Sequence, residues 1–210
     1  MTAYAKQNWF GVKKAHVAFM TNEATPAWGT PTEVPGLVRV KFDPELSEDK
    51  IYADDELWTG DDIDNGFSGE IELRDLESTS TLRTMFAKMV GYELDSNGRI
   101  LGTSSHPAVP FAFMCENGGR VAKKRRCLLK CLASKPSAEW KTNEDGKEYV
   151  TYTLTFKAVP VTLTTTTGTG NDEVTTVWRG AFYDDFSGNS TFDTFFSAVA
   201  TSLVPYVASS

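Results

Sequence analysis

The strictest pattern in this sequence is a two-residue alternation that runs from Val150 to Ala158. Apolar side chains at every second position alternate there with three threonines and a lysine. Successive side chains of a β-strand point to opposite faces of a sheet. The pattern therefore predicts a strand with one face on a core and the other face in solvent.

Similar alternation recurs along the chain, and turns containing Gly or Asn separate the runs. Together the runs predict roughly eight strands and a mainly β fold, either a β-sandwich or a partly closed barrel. The predicted strands are Ala15–Phe19, Val38–Phe42, Phe67–Arg74, Pro110–Glu116, Arg120–Leu132, Val150–Ala158, Val161–Thr167 and Val174–Trp178.

Two segments instead have helical spacing. One flanking helix is predicted at about residues 79–90, with Ser78 or Thr79 as the cap and Gly91 as the C-terminal left-handed residue. Its apolar stripe, which must cover a sheet, is Leu82, Met85, Phe86, Met89 and Val90. A second amphipathic helix is predicted from Thr191 onward, either docked on its own subunit or packed on a neighbour. We therefore divide the chain into a β-domain at residues 1–167 and a C-terminal extension at residues 168–210.

The segment from Asp43 to Asp64 is strongly acidic, with ten acidic residues against the single base Lys50. At its centre lies the octet IYADDELW, in which aromatic residues flank the acids. We predict a long loop here, and the aromatic residues favour an assembly role over idle disorder. The residues assigned to this contact are Ile51, Tyr52, Asp54, Asp55, Glu56 and Trp58.

A basic run lies later in the chain. Residues 120–135 carry seven bases and no acid, including Lys123, Lys124, Arg125 and Arg126. One interpretation is a solvated strand whose charges prevent edge aggregation. The other is that this strand of one copy meets the acidic loop of another copy in a head-to-tail contact.

Composition and motifs argue against catalysis. The net charge is −7, which disfavours nucleic acid as a tightly held ligand. The three cysteines fit no zinc or redox spacing, and we expect reduced core thiols. His16 and His106 have no nucleophile motif near them. No catalytic residue, metal or cofactor is predicted, and the N-terminal residues lack the pattern of a secretion signal.

The order of five motifs resembles the major tail tube proteins of long-tailed, non-contractile bacteriophages, in particular the phi13-type group. They are GVKKAHVAFM, VPGLVRVKF, IYADDELW, GFSGEIELRDLE and AEWKTNEDGKEYVTYTLTFKAVP, which lie in that order between Gly11 and Pro160. The Phe-rich region after Gly168 departs from the family's short ending.

The resemblance implies a structural virion protein with no catalysis. It implies a β-sandwich with one flanking helix that assembles into hexameric rings, which stack into the tail tube. The long loop, here Ile51 to Trp58, would order on contact with the next ring. DNA would pass through the lumen without specific binding, and the outer-face acids Glu70 and Glu72 are the candidates for the lumen wall. Implied partners are further copies of the chain and the tail initiator or tip, tape measure and tail terminator proteins. Assembly would take place in the bacterial cytoplasm, away from any membrane.

An alternative from the residues is a monomeric β-sandwich that recognises carbohydrate or protein through Trp28, Trp58 and Trp140.

Overall fold

A computed structural model describes residues 9–53, 56–74, 76–102, 106–119, 122–136, 151–167 and 174–203. Within them the chain forms one helix and a series of mostly antiparallel strands. The elements are β1 (Trp9–Asn22), β2 (Ala27–Trp28), β3 (Thr32–Val34), β4 (Leu37–Ala53), β5 (Glu56–Leu73), α1 (Ser80–Val90), β6 (Glu93–Leu94), β7 (Ile100–Leu101), β8 (Phe111–Gly119), β9 (Lys124–Ala133), β10 (Tyr152–Ala158), β11 (Val161–Thr167), β12 (Val174–Gly180) and β13 (Phe182–Phe186).

The main sheet has nine strands, and its central order is β2-β1-β8-β9-β10-β5-β4. One edge of β9 pairs with two strands in succession. β13 covers the edge from Lys124 to Leu128, and β10 covers it from Cys131 to Ala133. Val12 of β1 and Phe42 of β4 line the same cavity although four strands lie between β1 and β4, which shows that the sheet is curled. This confirms the predicted mainly β architecture with a flanking helix.

The alternation that predicted β10 is confirmed from Tyr152 to Ala158, whereas Val150, the first residue of the predicted strand, lies outside the described residues. Leu154, Phe156 and Ala158 are buried, whereas Thr153 and Thr155 between them are exposed. In β4 the pattern slips at Val38, which is 39% exposed. Leu37 pairs with Leu73 and Arg39 pairs with Glu72, so Val38 is the extra residue of a β-bulge and leaves the core face.

Helix α1 forms as the sequence predicts. The Thr79 hydroxyl oxygen accepts a hydrogen bond from the Leu82 N–H at 3.2 Å, and Gly91 ends the helix in the left-handed region with φ 74°. All five residues of the predicted stripe are buried. They pack on one face of the main sheet, against residues of β5, β8 and β10.

The opposite face of the sheet is covered as well, which explains why six consecutive residues of β8, Phe111 to Glu116, are buried. Phe113 and Cys115 face the core under α1, whereas Ala112 and Met114 face a second core. This second core is closed by β11, β12 and the C-terminal residues, including Phe195 and Val199.

The predicted C-terminal helix is wrong. We call residues 187–203 the C-terminal strap. From Gly188 to Ser197 it forms successive turns in which an N–H donates to the carbonyl three residues earlier, as Phe195 does to Phe192, and residues 199–203 have no regular structure. Asp185 explains why the strap begins with turns and not with a helix. Its carboxylate accepts hydrogen bonds from Asn189 Nδ2 at 2.6 Å and Thr191 Oγ1 at 2.7 Å. Short polar side chains of this kind compete with helix formation.

The strap nevertheless buries the apolar residues that the helical spacing identified. Phe192, Phe195 and Val199 are buried against the chain's own sheet, as in the first of the two predicted alternatives. The division of the chain at residue 167 stays a prediction. The described part of the extension adds β13 to the main sheet and the strap to the second core.

Candidate assembly surface

The acidic segment is a β-hairpin, so the prediction of a long loop there is wrong. β4 and β5 pair from Leu37 and Leu73 outward to Ala53 and Glu56. β-branched and aromatic residues favour strands, and antiparallel pairing satisfies the backbone of both segments. Asp54 and Asp55 lie outside the described residues.

The outer part of this hairpin projects from the sheet. β10 pairs with β5 only between Phe67 and Leu73. Beyond the pair Leu46 and Asp64, the two strands have no other strand partner among the described residues. We call residues 46–64 the acidic arm; at about 3.4 Å per residue its eight-residue strand is roughly 25 Å long.

The pairing within the arm brings like charges together. Glu48 lies opposite Asp62, and Asp49 lies opposite Asp61. Like charges directly across an antiparallel pair are destabilising. Near the tip, Ile51 pairs with Thr59 and Tyr52 with Leu57, so Trp58 is the extra residue of a bulge. The acids therefore do not serve the stability of the isolated hairpin.

The basic run lies on β9 and alternates between the two faces of the sheet. Arg125 is buried on the strap side, where its Nε donates to Glu116 Oε2 at 2.9 Å. Its guanidinium also donates to the Phe192 carbonyl and stacks on the Phe192 ring, 3.8 Å from the centroid. The Phe196 ring covers it further at 4.8 Å. Arg125 thus holds the strap on the sheet.

Arg126 and Lys124 lie on the other face and share one carboxylate. Arg126 binds Asp184 through two hydrogen bonds of 2.7 and 2.8 Å, and Lys124 Nζ lies 2.9 Å from Asp184 Oδ2. Burial raises the pKa of Asp184, but the hydrogen bonds and charges of these two bases outweigh it, so its pKa lies below the ordinary value. Only Lys123 of the four predicted residues is exposed, and its backbone N–H donates to Ser187 Oγ.

The carboxylate of Glu116 attracts two lysines that the sequence did not single out. Lys13 Nζ lies 3.5 Å from Oε1 and Lys14 Nζ lies 3.7 Å from Oε2. Burial raises the pKa of Glu116, but the hydrogen bond from Arg125 and the charges of the lysines and Arg125 outweigh it, so its pKa is lowered. In the sequence, the only indication of this buried carboxylate is that Glu116 ends the apolar run FAFMCE.

A distorted stretch of β1 allows two successive lysines to approach the same carboxylate. The register to β8 shifts between Lys13 and His16, and Lys14 has φ 55°, in the left-handed region. In a regular strand neighbouring side chains point to opposite faces. Backbone distortions of this kind occur where a side chain must point in a direction that a regular strand does not allow.

The two candidate lumen acids lie on the solvent face of β5 beside one base. Arg39 Nη2 donates to Glu70 Oε2 at 2.8 Å, and Arg39 Nε donates to Glu72 Oε2 at 3.3 Å. This face is therefore an ion-pair ladder and not a purely negative wall. Its placement in a lumen stays a prediction.

The remaining candidates have structural contacts. Trp28 packs on the second core and donates from Nε1 to the Leu129 carbonyl at 2.9 Å, so it forms no open sugar platform. Trp140 lies outside the described residues. His16 stacks on Phe196, and His106 lies 3.0 Å from Glu93. The three cysteines are free and buried, and burial raises the pKa of Cys115 and of Cys127 to about 12.

Among the described residues, no cluster of three or more His, Cys, Asp or Glu side chains could hold a metal ion. The same part of the chain contains no helix with the length and apolarity needed to span a bilayer. Neither protein-family models nor curated protein sequences match this chain.

Proposed function

We propose that this chain is a structural subunit that polymerises as stacked rings to form the tail tube of a long-tailed phage. In this role it has no catalytic activity, resides in the virion tail and lets DNA pass through its lumen. The observation that carries the proposal is the acidic arm. Beyond the pair Leu46 and Asp64, this hairpin has no other strand partner among the described residues and opposes its own acids in register, which favours a role in contacts between copies.

The rest of the architecture is compatible with this role. α1 and the strap cover opposite faces of the sheet, which leaves the ladder of Arg39, Glu70 and Glu72 as an open polar face. A net charge of −7 disfavours tight binding of DNA, as a conduit requires. The proposed partners are other copies and the proteins that start, measure and close a tail.

Electron microscopy of the purified protein over a concentration series, paired with light scattering for mass, tests the proposal. Rings or hollow tubes with six-fold end views are the expected result. A monodisperse monomer at every concentration and ionic strength would contradict it.

A shortened arm tests the observation itself. Ser47 pairs with Ile63, so replacing residues 48–62 by Asn-Gly closes the hairpin with a two-residue turn and leaves the main sheet intact. We expect a folded subunit, with wild-type thermal unfolding, that no longer assembles into tubes. Tubes formed as readily as by the wild type would show that the arm is not an assembly element.

A further inference from the structure

Six cationic side chains lie at one end of β1 and β9, where they outnumber the carboxylates around them. Glu116 and Asp184 take up part of this charge, and the buried Asp185 lies opposite Arg125. The cations are Lys13, Lys14, Lys123, Lys124, Arg125 and Arg126. One end of a chain with a net charge of −7 is therefore positive.

The excess charge is accessible to a partner. One cation, Arg125, already neutralises Glu116 at hydrogen-bond distance, whereas Lys13 and Lys14 lie farther away and remain 57% and 46% exposed. Lys123 is exposed one position before β9 begins. We call Lys13, Lys14 and Lys123 the basic end.

We propose that the basic end of one copy is the docking site for the acidic arm of a second copy. This inference rests on the proposed function and names the surface that the arm contacts. The argument is charge complementarity. The arm opposes its own acids in register, and nearby cations of another copy would relieve that repulsion.

The topology also shows at which end of the sheet the arm and the basic end lie. Four successive antiparallel pairings connect β8 to β4 through β9, β10 and β5, so β8 and β4 run in the same direction. Both run toward the end of the sheet where the basic end lies. The arm therefore leaves the sheet at the same end as the basic end. The contact therefore requires a second copy whose basic end faces the arm of the first.

Charge reversal tests the contact. The arm variant carries Asp54→Lys and Asp55→Lys, and the basic-end variant carries Lys13→Glu and Lys123→Glu. Each alone should need about a tenfold or higher protein concentration to assemble than the wild type, because every contact then contains two substituted charges of the same sign as the surface they meet. An equal mixture of the two should assemble near the wild-type concentration, since alternating copies restore every opposite-charge contact.

The mixture separates this contact from a contact within one chain. A contact within the chain would be rescued only by combining all four substitutions in one chain, and rescue by the mixture would not occur. The control reverses Lys88 and Lys135, which lie at the other end of the sheet beside Val109 and beyond Ala133; it should assemble like the wild type. Thermal unfolding verifies that each variant folds. If the basic-end variant does not fold, a neutral Lys13→Gln, Lys123→Gln variant replaces it. Its assembly should lose most of the wild-type sensitivity to added salt.

Three further results would overturn the inference. If the wild type assembles and both reversed variants assemble equally well, the contact is wrong and the proposed function stands. If a fluorescent DNA duplex binds the wild type but not the basic-end variant, and assembly is unchanged, the basic end contacts DNA instead. A wild type that never assembles would contradict the proposed function and this contact together.

Discussion

The Nε of Arg125 lies 2.9 Å from Oε2 of Glu116, and this pair is buried between the main sheet and the C-terminal strap. The contact joins the middle strands of the sheet to the C-terminal strap, because the same guanidinium donates to the Phe192 carbonyl. A buried ion pair of this kind costs desolvation, and removing one partner leaves the other charge uncompensated.

Glu116→Gln should therefore destabilise the protein by about 3–5 kcal/mol, because Arg125 stays buried without its counter-charge. Urea titration followed by circular dichroism measures the change in the free energy of unfolding. Glu23→Gln is the matched control: its partner is also a base, Lys130 at 2.6 Å, but Glu23 is 59% exposed. It should lose less than about 1 kcal/mol. Equal losses for both variants would show that the Glu116 pair is not buried in solution.

Stability should fall in acid. Glu116 and Asp184 both have pKa values below their ordinary ones when folded. A carboxylate whose pKa is depressed in the folded state contributes stability above its unfolded pKa, about 4, and this is lost as the pH falls through the folded pKa. Urea midpoints should therefore be level from pH 7 to about pH 5 and fall below about pH 4.

Asp184→Asn should make the urea midpoint fall less steeply below about pH 4, because the variant has one carboxylate fewer to protonate. A midpoint that fell just as steeply in the variant would assign the acid sensitivity to other groups.

Phe86→Ala should cost about 3–5 kcal/mol, since the ring is buried and contacts the rings of Tyr92 and Tyr152. Thr84→Ala, on the exposed side of the same helix, should change stability by less than about 0.5 kcal/mol. A loss under about 1 kcal/mol for Phe86→Ala in the same titration would show that the stripe of α1 is not buried.

Two glycines offer a matched pair for separating backbone strain from steric clash. Gly91 and Gly98 have nearly equal φ values of 74° and 76°. A Cβ at Gly98 would meet nothing within 4 Å, whereas one at Gly91 would lie 2.6 Å from the His106 carbonyl oxygen. Gly98→Ala should cost about 1–2 kcal/mol from strain alone, and Gly91→Ala clearly more. Thermal unfolding of both variants would reveal the difference, and equal losses would mean that the loop at His106 yields freely.

The three thiols should be unreactive in the native protein. All are buried, and burial raises the pKa of Cys115 and of Cys127 to about 12. Thiolate is the reactive form, so Ellman's reagent should label the buried thiols only as fast as the native structure opens around them. Full labelling in urea is the internal control. Rapid labelling of one thiol in buffer would show that a cysteine is accessible.

Sequence patterns predicted those elements whose two faces differ in polarity. β10 and α1 each have one buried face, so their period was visible along with the caps at Thr79 and Gly91. β13 was missed because Phe182 to Phe186 alternates little and its acids are neutralised by distant bases. The strap was predicted as a helix because its phenylalanines have helical spacing, whereas local hydrogen bonds to Asp185 set its backbone.

The candidate site was predicted only in part for a similar reason. Net charge along the chain identified the acidic and basic segments. Charge counting cannot show which bases are already paired. Arg126, for example, forms an ion pair with Asp184, 58 residues away. Lys13 and Lys14 were missed because only the pairing of β1 with β8 brings them to Glu116.

The shared edge of β9 affects how the chain reaches its native state. β13 is the strand that covers the first half of that edge, and its residues pair with partners 54 to 62 positions earlier in the chain. Until β13 has been synthesised and has docked, five residues of β9 present unpaired backbone groups in the middle of the sheet. Pairings so distant in sequence form slowly. During that interval β9 can pair with any extended segment nearby, so the concentration of nascent subunits in the cell sets the competition between folding and aggregation.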